Sequence, residues 1–362
     1  MKTGKASRAA GLKKLLAETQ SEAQEVDAAK VVERLAIRHK QRVLAIYRRL
    51  AAKHPEAFEP DVAMMLNNAA NFHSRLQRPA EAEAEYAEAA AIYRRLAAAH
   101  PEEHEAHLAT TLNNLAVLHG NTRRVAEAEA EYGEALAIRR KLAVARPEAF
   151  EADVAATLNN LALLHGKTAR RAEAEAEYAE ALAIRRKLAA ANPEAYEADV
   201  AATLNNLANL HRNMYRLAEA EAEYGEALSI LRKRVAASPG TFEPALATML
   251  NNLAIVHGDM LRLAEAEAEY GEALAIRRKL AASHPEAYEP DVAMTRFNLA
   301  LVFEKTGRHE EALAAARESL ETYGRCAERN PAQFGGDLED ARALLKRLEE
   351  KGTGDGTGGN AG

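Results

Sequence analysis

The sequence contains no tryptophan and a single cysteine, Cys326, and aromatic residues make up only 5% of its 362 residues. One cysteine excludes an intramolecular disulfide and is typical of a reducing compartment. The basic N-terminus has no apolar stretch of the kind found in secretory signals, and no segment approaches the ~20 apolar residues of a membrane span. These absences predict a cytoplasmic protein that does not associate with a membrane.

The sequence also has no large excess of one charge and no recognisable catalytic motif. Acidic and basic residues are interspersed and give a net charge of −6, so we expect no nucleic-acid partner. There is no Gly-rich phosphate loop, no set of residues for nucleophilic catalysis, and no carboxylate pair in apolar surroundings. We therefore predict that the protein is not an enzyme and has no catalytic residues, no metal site and no cofactor.

What the sequence does have is an internal repeat. The tripeptide Leu-Asn-Asn begins at Leu66, Leu112, Leu158, Leu204 and Leu250, each 46 residues after the last, and a weaker sixth copy contains Asn298. A fixed period of this length is typical of a solenoid, in which each helical unit buries its apolar face against its neighbours. The abundance of alanine favours closely packed helices.

The second unit shows the pattern of two helices. Apolar residues from Thr111 to His119 fall on one helical face, and residues 120–124 contain the breakers Gly and Asn. A second helix is predicted from Val125 to about Ala145, and we expect Pro147 to end it.

A helical hairpin with these residues resembles the tetratricopeptide repeat, whose unit has about 34 residues. The resemblance rests on an apolar residue followed by alanine in the first helix, and on an Ala, Tyr, Ala series in the second. These residues are Leu115, Ala116, Ala128, Tyr132 and Ala135; Leu161, Ala162, Ala174, Tyr178 and Ala181; Leu207, Ala208, Ala220, Tyr224 and Ala227; and Leu253, Ala254, Ala266, Tyr270 and Ala273. The alanines would let paired helices touch, and the tyrosine would fill the space towards the next hairpin.

The repeat is about twelve residues longer than that of the family, and this length looks most like the kinesin-light-chain-type subgroup. We expect about seven of the added residues to lengthen the second helix by two turns. The remaining residues would lengthen a loop after Pro147. An acidic residue in that loop would cap the next helix, and these residues are Asp61, Asp153, Asp199 and Asp291.

The predicted fold is an all-α solenoid, a right-handed superhelix of about seven antiparallel helix pairs. Residues 1–58 are predicted to form a degenerate N-terminal helical hairpin that acts as a cap, and residues 59–334 to form six repeats. Residues 335–351 are predicted to form a C-terminal capping helix, since Lys346 stands where a partner helix would require alanine. The segment 352–362 is mostly Gly, Thr, Asp and Asn and is predicted to be a disordered tail.

The Asn pairs are the main candidates for a binding site, because Asn is unfavourable inside a helix. The resemblance to the family implies that the first helix of each unit lines a concave groove. An Asn amide can donate to a peptide carbonyl and accept from its N–H, so a ladder of Asn could hold an extended peptide. The alternative is that one Asn of each pair forms hydrogen bonds between neighbouring helices, and the sequence leaves both interpretations open.

The residue three places after the second Asn varies along the array, as does the turn that follows, whereas the packing residues repeat. Such variation is expected of a specific binding surface on a uniform frame, and it is equally expected of surface drift. The predicted peptide-binding residues are Asn67, Asn68, Asn113, Asn114, Val117, Asn159, Asn160, Leu163, Asn205, Asn206, Asn209, Asn251, Asn252, Ile255 and Asn298.

Two further series of residues recur along the repeats. Histidines occur once per unit, at His73, His119, His165, His211 and His257. Equivalent residues in stacked hairpins lie ~10 Å apart, too far to share a metal ion, so we expect them to be packed and half-buried. Basic residues near the end of the second helix could form a ridge that binds acidic partners, and they include Arg139, Arg185 and Arg277.

These features together predict a non-catalytic protein–protein interaction scaffold or peptide receptor that binds a partner segment in its groove. One alternative is a regulatory subunit that controls a separately encoded enzyme. A second is a self-assembling scaffold whose ends stack on one another. The expected partner is a protein or peptide in the first two cases and another copy of the chain in the third.

Overall fold

The computed structural model describes residues 41–354. The predicted N-terminal hairpin lies largely in residues 1–40 and most of the predicted tail in residues 355–362, and both segments are outside the described residues. The described range contains 14 helices and no strand. The helices are α1 (residues 41–51), α2 (Pro55–Arg75), α3 (Pro79–Ala99), α4 (Pro101–Asn121), α5 (Val125–Ala145), α6 (Pro147–Lys167), α7 (Arg171–Ala191), α8 (Pro193–Asn213), α9 (Leu217–Ala237), α10 (Pro239–Asp259), α11 (Leu263–Ser283), α12 (Pro285–Lys305), α13 (His309–Arg329) and α14 (Pro331–Gly354).

Contacts divide the chain into two units, Met1–Phe150 and Glu151–Gly362. In the first unit, each helix from α2 to α5 packs against the next one in sequence. In the second unit, the same holds from α7 to α14. This successive packing is that of an α-solenoid, which confirms the predicted fold class.

Helices α2 to α13 all have 21 residues, and the prolines begin the first helices of the repeats instead of lying in loops. A single residue separates the end of one hairpin from the start of the next, as Arg146 does between α5 and α6. The expectation of a loop after Pro147 was therefore wrong. Proline fits the first turn of a helix, where its missing N–H needs no partner.

The capping role expected for Asp153 and its equivalents was also wrong. Asp153 lies inside α6, and its backbone carbonyl accepts a hydrogen bond from Thr157 Oγ1 at 3.1 Å. The added residues lengthen both helices of the hairpin and not a loop. Each 21-residue helix consequently spans about 31 Å.

The alanines that were predicted to let the helices touch are fully buried. Ala162 in α6 and Ala174 in α7 both have 0% exposure, and Tyr178 has 2%. All three belong to the main apolar cluster of the second unit. Alanine has no side chain beyond Cβ, so the paired helices can approach closely at these points.

The two helices of a hairpin are joined by three residues, of which the middle one has a positive φ. At the turn between α6 and α7, Ala169 has φ 62° and the N–H of Arg170 donates to the carbonyl of His165 at 3.0 Å. The left-handed residues are Gln77, Arg123, Ala169, Tyr215, Leu261 and Gly307.

No helix within residues 41–354 is both long and apolar enough to span a membrane.

Candidate functional site

Leucine of each Leu-Asn-Asn tripeptide is buried, and the two asparagines follow it at the rim of the helix interface. Leu158, Leu204 and Leu250 are at most 1% exposed. The asparagines that follow are half-buried, except Asn251, which is 2% exposed. The first helices therefore place pairs of amide groups at the edge of the helix interface, between a neighbouring helix and solvent.

In the second unit, the asparagines form a chain of hydrogen bonds from repeat to repeat. Asn206 Nδ2 donates to Asn159 Oδ1 at 3.1 Å, and Asn252 Nδ2 donates to Asn205 Oδ1 at 2.9 Å. Asn205 Nδ2 also donates to Asn206 Oδ1 at 3.3 Å, which joins the two asparagines of one pair. The second Asn of a pair thus links to the first Asn of the preceding repeat.

The series ends on a buried arginine. Asn298 Nδ2 approaches Asn251 Oδ1 at 3.5 Å, and this oxygen accepts from Arg277 Nη1 at 3.3 Å. The interhelical interpretation of the Asn pairs is therefore observed in the second unit. Asn160 of the same unit is half-buried.

In the first unit, the asparagines show a range of exposure. Asn68 is exposed, whereas Asn67, Asn113 and Asn114 are half-buried. The buried Asn67 Oδ1 has no hydrogen-bond partner among the described residues.

The variable residue beside the Asn pairs has two distinct environments. Asn71 and Asn209 accept hydrogen bonds from the hydroxyls of Tyr86 at 2.7 Å and Tyr224 at 2.9 Å. Where the residue is apolar, it is more open to solvent. Val117 is 38% and Leu163 43% exposed, and Ile255 is half-buried.

An open pocket of ≈ 290 Å³ in the second unit brings three of the predicted site residues together. Leu163 of α6 and Asn206 and Asn209 of α8 line it, together with residues that were not predicted to bind a partner. The additional lining residues include Lys167, Arg171, Tyr178, Leu210 and Asn213. The other predicted residues do not line this pocket.

Each of the five repeated histidines is buried and contacts a carboxylate of its own hairpin. His211 Nδ1 lies 2.9 Å from Glu223, and its Nε2 lies 3.3 Å from Glu175 Oε1 of the preceding repeat. Arg216 Nη1 also contacts Glu175, at 2.7 Å. The carboxylate partners lie twelve residues after their histidines, at Glu85, Glu131, Glu177, Glu223 and Glu269. Burial is deeper than expected, and the ion-pair partners were not predicted.

The two carboxylates around His211 have opposite pKa shifts. Burial raises the pKa of Glu223 above its ordinary value. The hydrogen bond from Arg216 lowers the pKa of Glu175. The same pattern recurs around His257. Burial raises the pKa of Glu269, and the hydrogen bond from Arg262 lowers the pKa of Glu221. Through its contacts with Glu223 of its own hairpin and Glu175 of the preceding one, His211 links successive hairpins.

One set of side chains in the described residues could approach a metal ion, namely Glu175, His211 and Glu219. His211 is the one repeated histidine in this set. Arg216 already contacts both carboxylates. A guanidinium thus supplies the positive charge at this place.

The basic ridge predicted from the sequence was wrong, because its arginines are not on the surface. Arg277 is 2% and Arg139 5% exposed, and Arg185 is half-buried. Arg277 Nη1 donates to Thr295 Oγ1 at 2.6 Å and to the carbonyl of Asp291 at 3.2 Å. Arg277 and Arg185 thus join the second helix of one hairpin to the first helix of the next. Arg139 Nη2 instead donates to Thr110 Oγ1 of its own hairpin at 3.4 Å.

The exposed basic residues that follow in the sequence are paired. Arg186 contacts Glu226 at 2.6 Å, and Lys187 contacts Glu151 at 2.6 Å. Surface pairs of this kind contribute little stability individually, but they neutralise the face that the ridge would have formed.

Sequence reasoning missed Lys167, Arg171 and Tyr178 as parts of a pocket. Tyr178 was assigned to packing, which its burial supports. A comparison of the repeats could have indicated this pocket. Only the third repeat has a Lys or Arg both at the end of its first helix (Lys167) and at the start of its second (Arg171). The equivalent residues in its neighbours are Asn121 and Val125, Asn213 and Leu217, and Asp259 and Leu263.

Several solved structures are similar to this chain. BtubC (BKLC) from P. vanneervenii has 26% identity and a TM-score of 0.56, and the match covers 68% of this chain and 91% of that one. A STAND ATPase with a tetratricopeptide repeat sensor from Pyrococcus horikoshii has 14% identity and a TM-score of 0.56, with 84% of this chain and 42% of that one covered. A putative kinesin light chain from Podosopora anserina has 19% identity and a TM-score of 0.49, with 63% and 99% covered.

No curated protein matches the sequence significantly. Two family models, both described as tetratricopeptide repeat, do match it. One matches residues 62–102, 108–145 and 154–192, and the other matches residues 199–279 and 245–325. These segments cover more than half of the sequence, and the chain belongs to the tetratricopeptide repeat family.

Proposed function

We propose that this protein is a non-catalytic interaction scaffold that binds an extended segment of a protein partner along the first helices of its repeats. Tetratricopeptide repeats mediate protein–protein interaction and typically lack catalytic activity. The observation that carries the proposal is the pocket in which Leu163, Asn206 and Asn209 meet. We place this activity in the cytoplasm.

The hydrogen-bonding capacity left on the asparagines supports a contact with a peptide backbone. An Asn amide has two N–H donors and an oxygen with two lone pairs. Asn206 uses one donor for Asn159 and one lone pair for Asn205. One N–H and one lone pair of Asn206 thus serve the bonds between asparagines. The other N–H and the other lone pair would bind a peptide unit of the partner, so a single Asn can serve both roles.

The proposal is tested with peptides selected from a random dodecapeptide library displayed on phage, using the full chain as bait. Two triple variants are compared with the parent. One replaces the first Asn of each pair by alanine (Asn159→Ala, Asn205→Ala, Asn251→Ala), and the other replaces the second (Asn160→Ala, Asn206→Ala, Asn252→Ala). We expect both to bind the selected peptide at least tenfold more weakly.

Thermal melting separates binding from stability in these variants. Each lost interhelical hydrogen bond should cost roughly 0.5–1.5 kcal/mol, partly offset by the better helix propensity of alanine. Asn192→Ala is the matched control, since Asn192 caps α8 through the N–H of Ala195 at 3.3 Å. It should lower stability by about the amount of one such hydrogen bond, without weakening binding. Unchanged affinity in both triple variants would contradict the role of the Asn ladder.

A further inference from the structure

The pocket between α6 and α8 has an unbalanced positive charge. Lys167 and Arg171 line it, no acidic residue does, and both cations are exposed. Neither forms an ion pair among the residues that the structure describes. The adjacent Arg170 contacts Glu173 at 2.8 Å, and Arg216 contacts Glu175 at 2.7 Å. Two unpaired cations in one pocket are therefore unusual on this strongly ion-paired surface.

Tyr178 adds a hydrogen-bond donor to the same pocket. The equivalent Tyr224 donates its hydroxyl to Asn209 at 2.9 Å, but the third repeat has Leu163 in place of that asparagine. The Tyr178 hydroxyl consequently has no hydrogen-bond acceptor in the described part of the chain. Burial raises the pKa of Tyr178, which keeps the hydroxyl protonated.

The remaining lining groups provide a polar rim and an apolar floor. Asn213 is exposed and its amide forms no hydrogen bond within residues 41–354. Leu163 and Leu210 supply apolar contact surface. Donors and cations thus surround a cavity that has apolar walls for a short aliphatic stem.

We propose that this pocket binds the side-chain carboxylate of an Asp or Glu residue in the partner segment, held by Lys167, Arg171 and the Tyr178 hydroxyl. The inference rests on the proposed function and adds a chemical requirement to it. Charge-assisted hydrogen bonds to a carboxylate are stronger than neutral ones, and Arg presents a planar fork that matches this group. The third repeat would then set the register of a peptide whose backbone the asparagines hold.

The test uses the same phage-displayed dodecapeptide library and the full chain. Enriched sequences are synthesised with an amidated C-terminus, so that no terminal carboxylate is present. We expect them to share an acidic residue at a fixed place, and its replacement by the corresponding amide to raise Kd about tenfold. The double variant Lys167→Gln, Arg171→Gln should raise Kd for the acidic peptide by a similar factor.

A double-mutant cycle tests whether the two effects have one cause. The amide-containing peptide should bind the double variant about as tightly as it binds the parent, because the interaction is already lost. Lys187→Gln is the control, as an exposed lysine paired with Glu151 and outside the pocket. It should leave Kd unchanged, and all variants should melt near the parent temperature because the replaced side chains are exposed.

The outcomes separate this inference from the proposed function. Peptides that bind without a shared acidic residue, or that bind the double variant as tightly as the parent, would overturn the carboxylate pocket alone. Failure to enrich any peptide on the full chain would overturn the proposed function and the pocket with it.

Discussion

At the residue scale, packing residues were predicted well and polar partners were not. Ala162 and Ala174 could be assigned because a close helix contact permits only a small side chain. The carboxylate partners of His211 could not be assigned from the sequence, because Glu223 and Glu175 approach it from different helices. Contacts of this kind depend on the offset between hairpins, which the sequence pattern does not contain.

The opposite pKa shifts around His211 give a prediction with a definite sign. The pKa of Glu223 is raised in the folded state, so its favourable contribution is present below the ordinary pKa and is lost as pH rises through the folded pKa. Glu223→Gln keeps an acceptor for His211 but cannot ionise. We expect this variant to melt above the parent at pH 7, with the difference shrinking towards zero below about pH 4.

Glu175→Gln is the control of opposite sign. Its pKa is lowered by Arg216, so its contribution is present above the ordinary pKa and is lost as pH falls through the folded pKa. This variant should melt below the parent at pH 7, and the gap should close on acidification. Melting curves between pH 3 and 8, a range that spans both carboxyl groups, check both variants. The same sign for the two differences at pH 7 would contradict the assignment.

At the element scale, helix type and the hairpin turns could be predicted, but the starts of the first helices could not. Residues 120–124 were predicted to be a turn, and the structure ends α4 at Asn121 and begins α5 at Val125. Pro147 was interpreted as a helix end followed by a loop, whereas it begins α6. A proline is compatible with both, because it stops the preceding helix and fits the first turn of the next.

The left-handed turn residues provide a test of these elements. Tyr215 has φ 58° and is 87% exposed, whereas the sixth repeat has Gly307 with φ 74° at the equivalent place. A non-glycine residue in this region costs roughly 1–2 kcal/mol, and little side-chain contact would be lost. Tyr215→Gly should therefore raise the free energy of unfolding by about 1 kcal/mol, as measured by chemical denaturation.

Gly307→Ala is the reciprocal variant. A Cβ at Gly307 would meet no atom within 4 Å, so any loss of stability comes from the backbone conformation alone. We expect a decrease of about 1 kcal/mol. A gain of stability in Gly307→Ala, or a loss in Tyr215→Gly, would contradict the left-handed conformation of these two turn residues.

At the scale of the whole molecule, the fixed period of the sequence was enough to predict an α-solenoid. A repeated apolar pattern requires each hairpin to pack on the next, whatever the details of the contacts. The candidate site was only partly predictable. Its asparagines recur in every repeat and could be found from the sequence. Lys167 and Arg171 occur together in one repeat only, so no repeated pattern marks them. The Tyr178 hydroxyl is available in the pocket because Leu163 stands where two other repeats have an asparagine acceptor.

In the proposed function, a partner segment lies along the first helices of the repeats. Photo-crosslinking tests it most directly, with p-benzoylphenylalanine placed at successive positions of the selected peptide and the attachment sites mapped by mass spectrometry. We expect attachment to α6 near Asn159 and Leu163 and to α8 near Asn206. Attachment confined to the second helices, around Lys187 and Glu226, would contradict it.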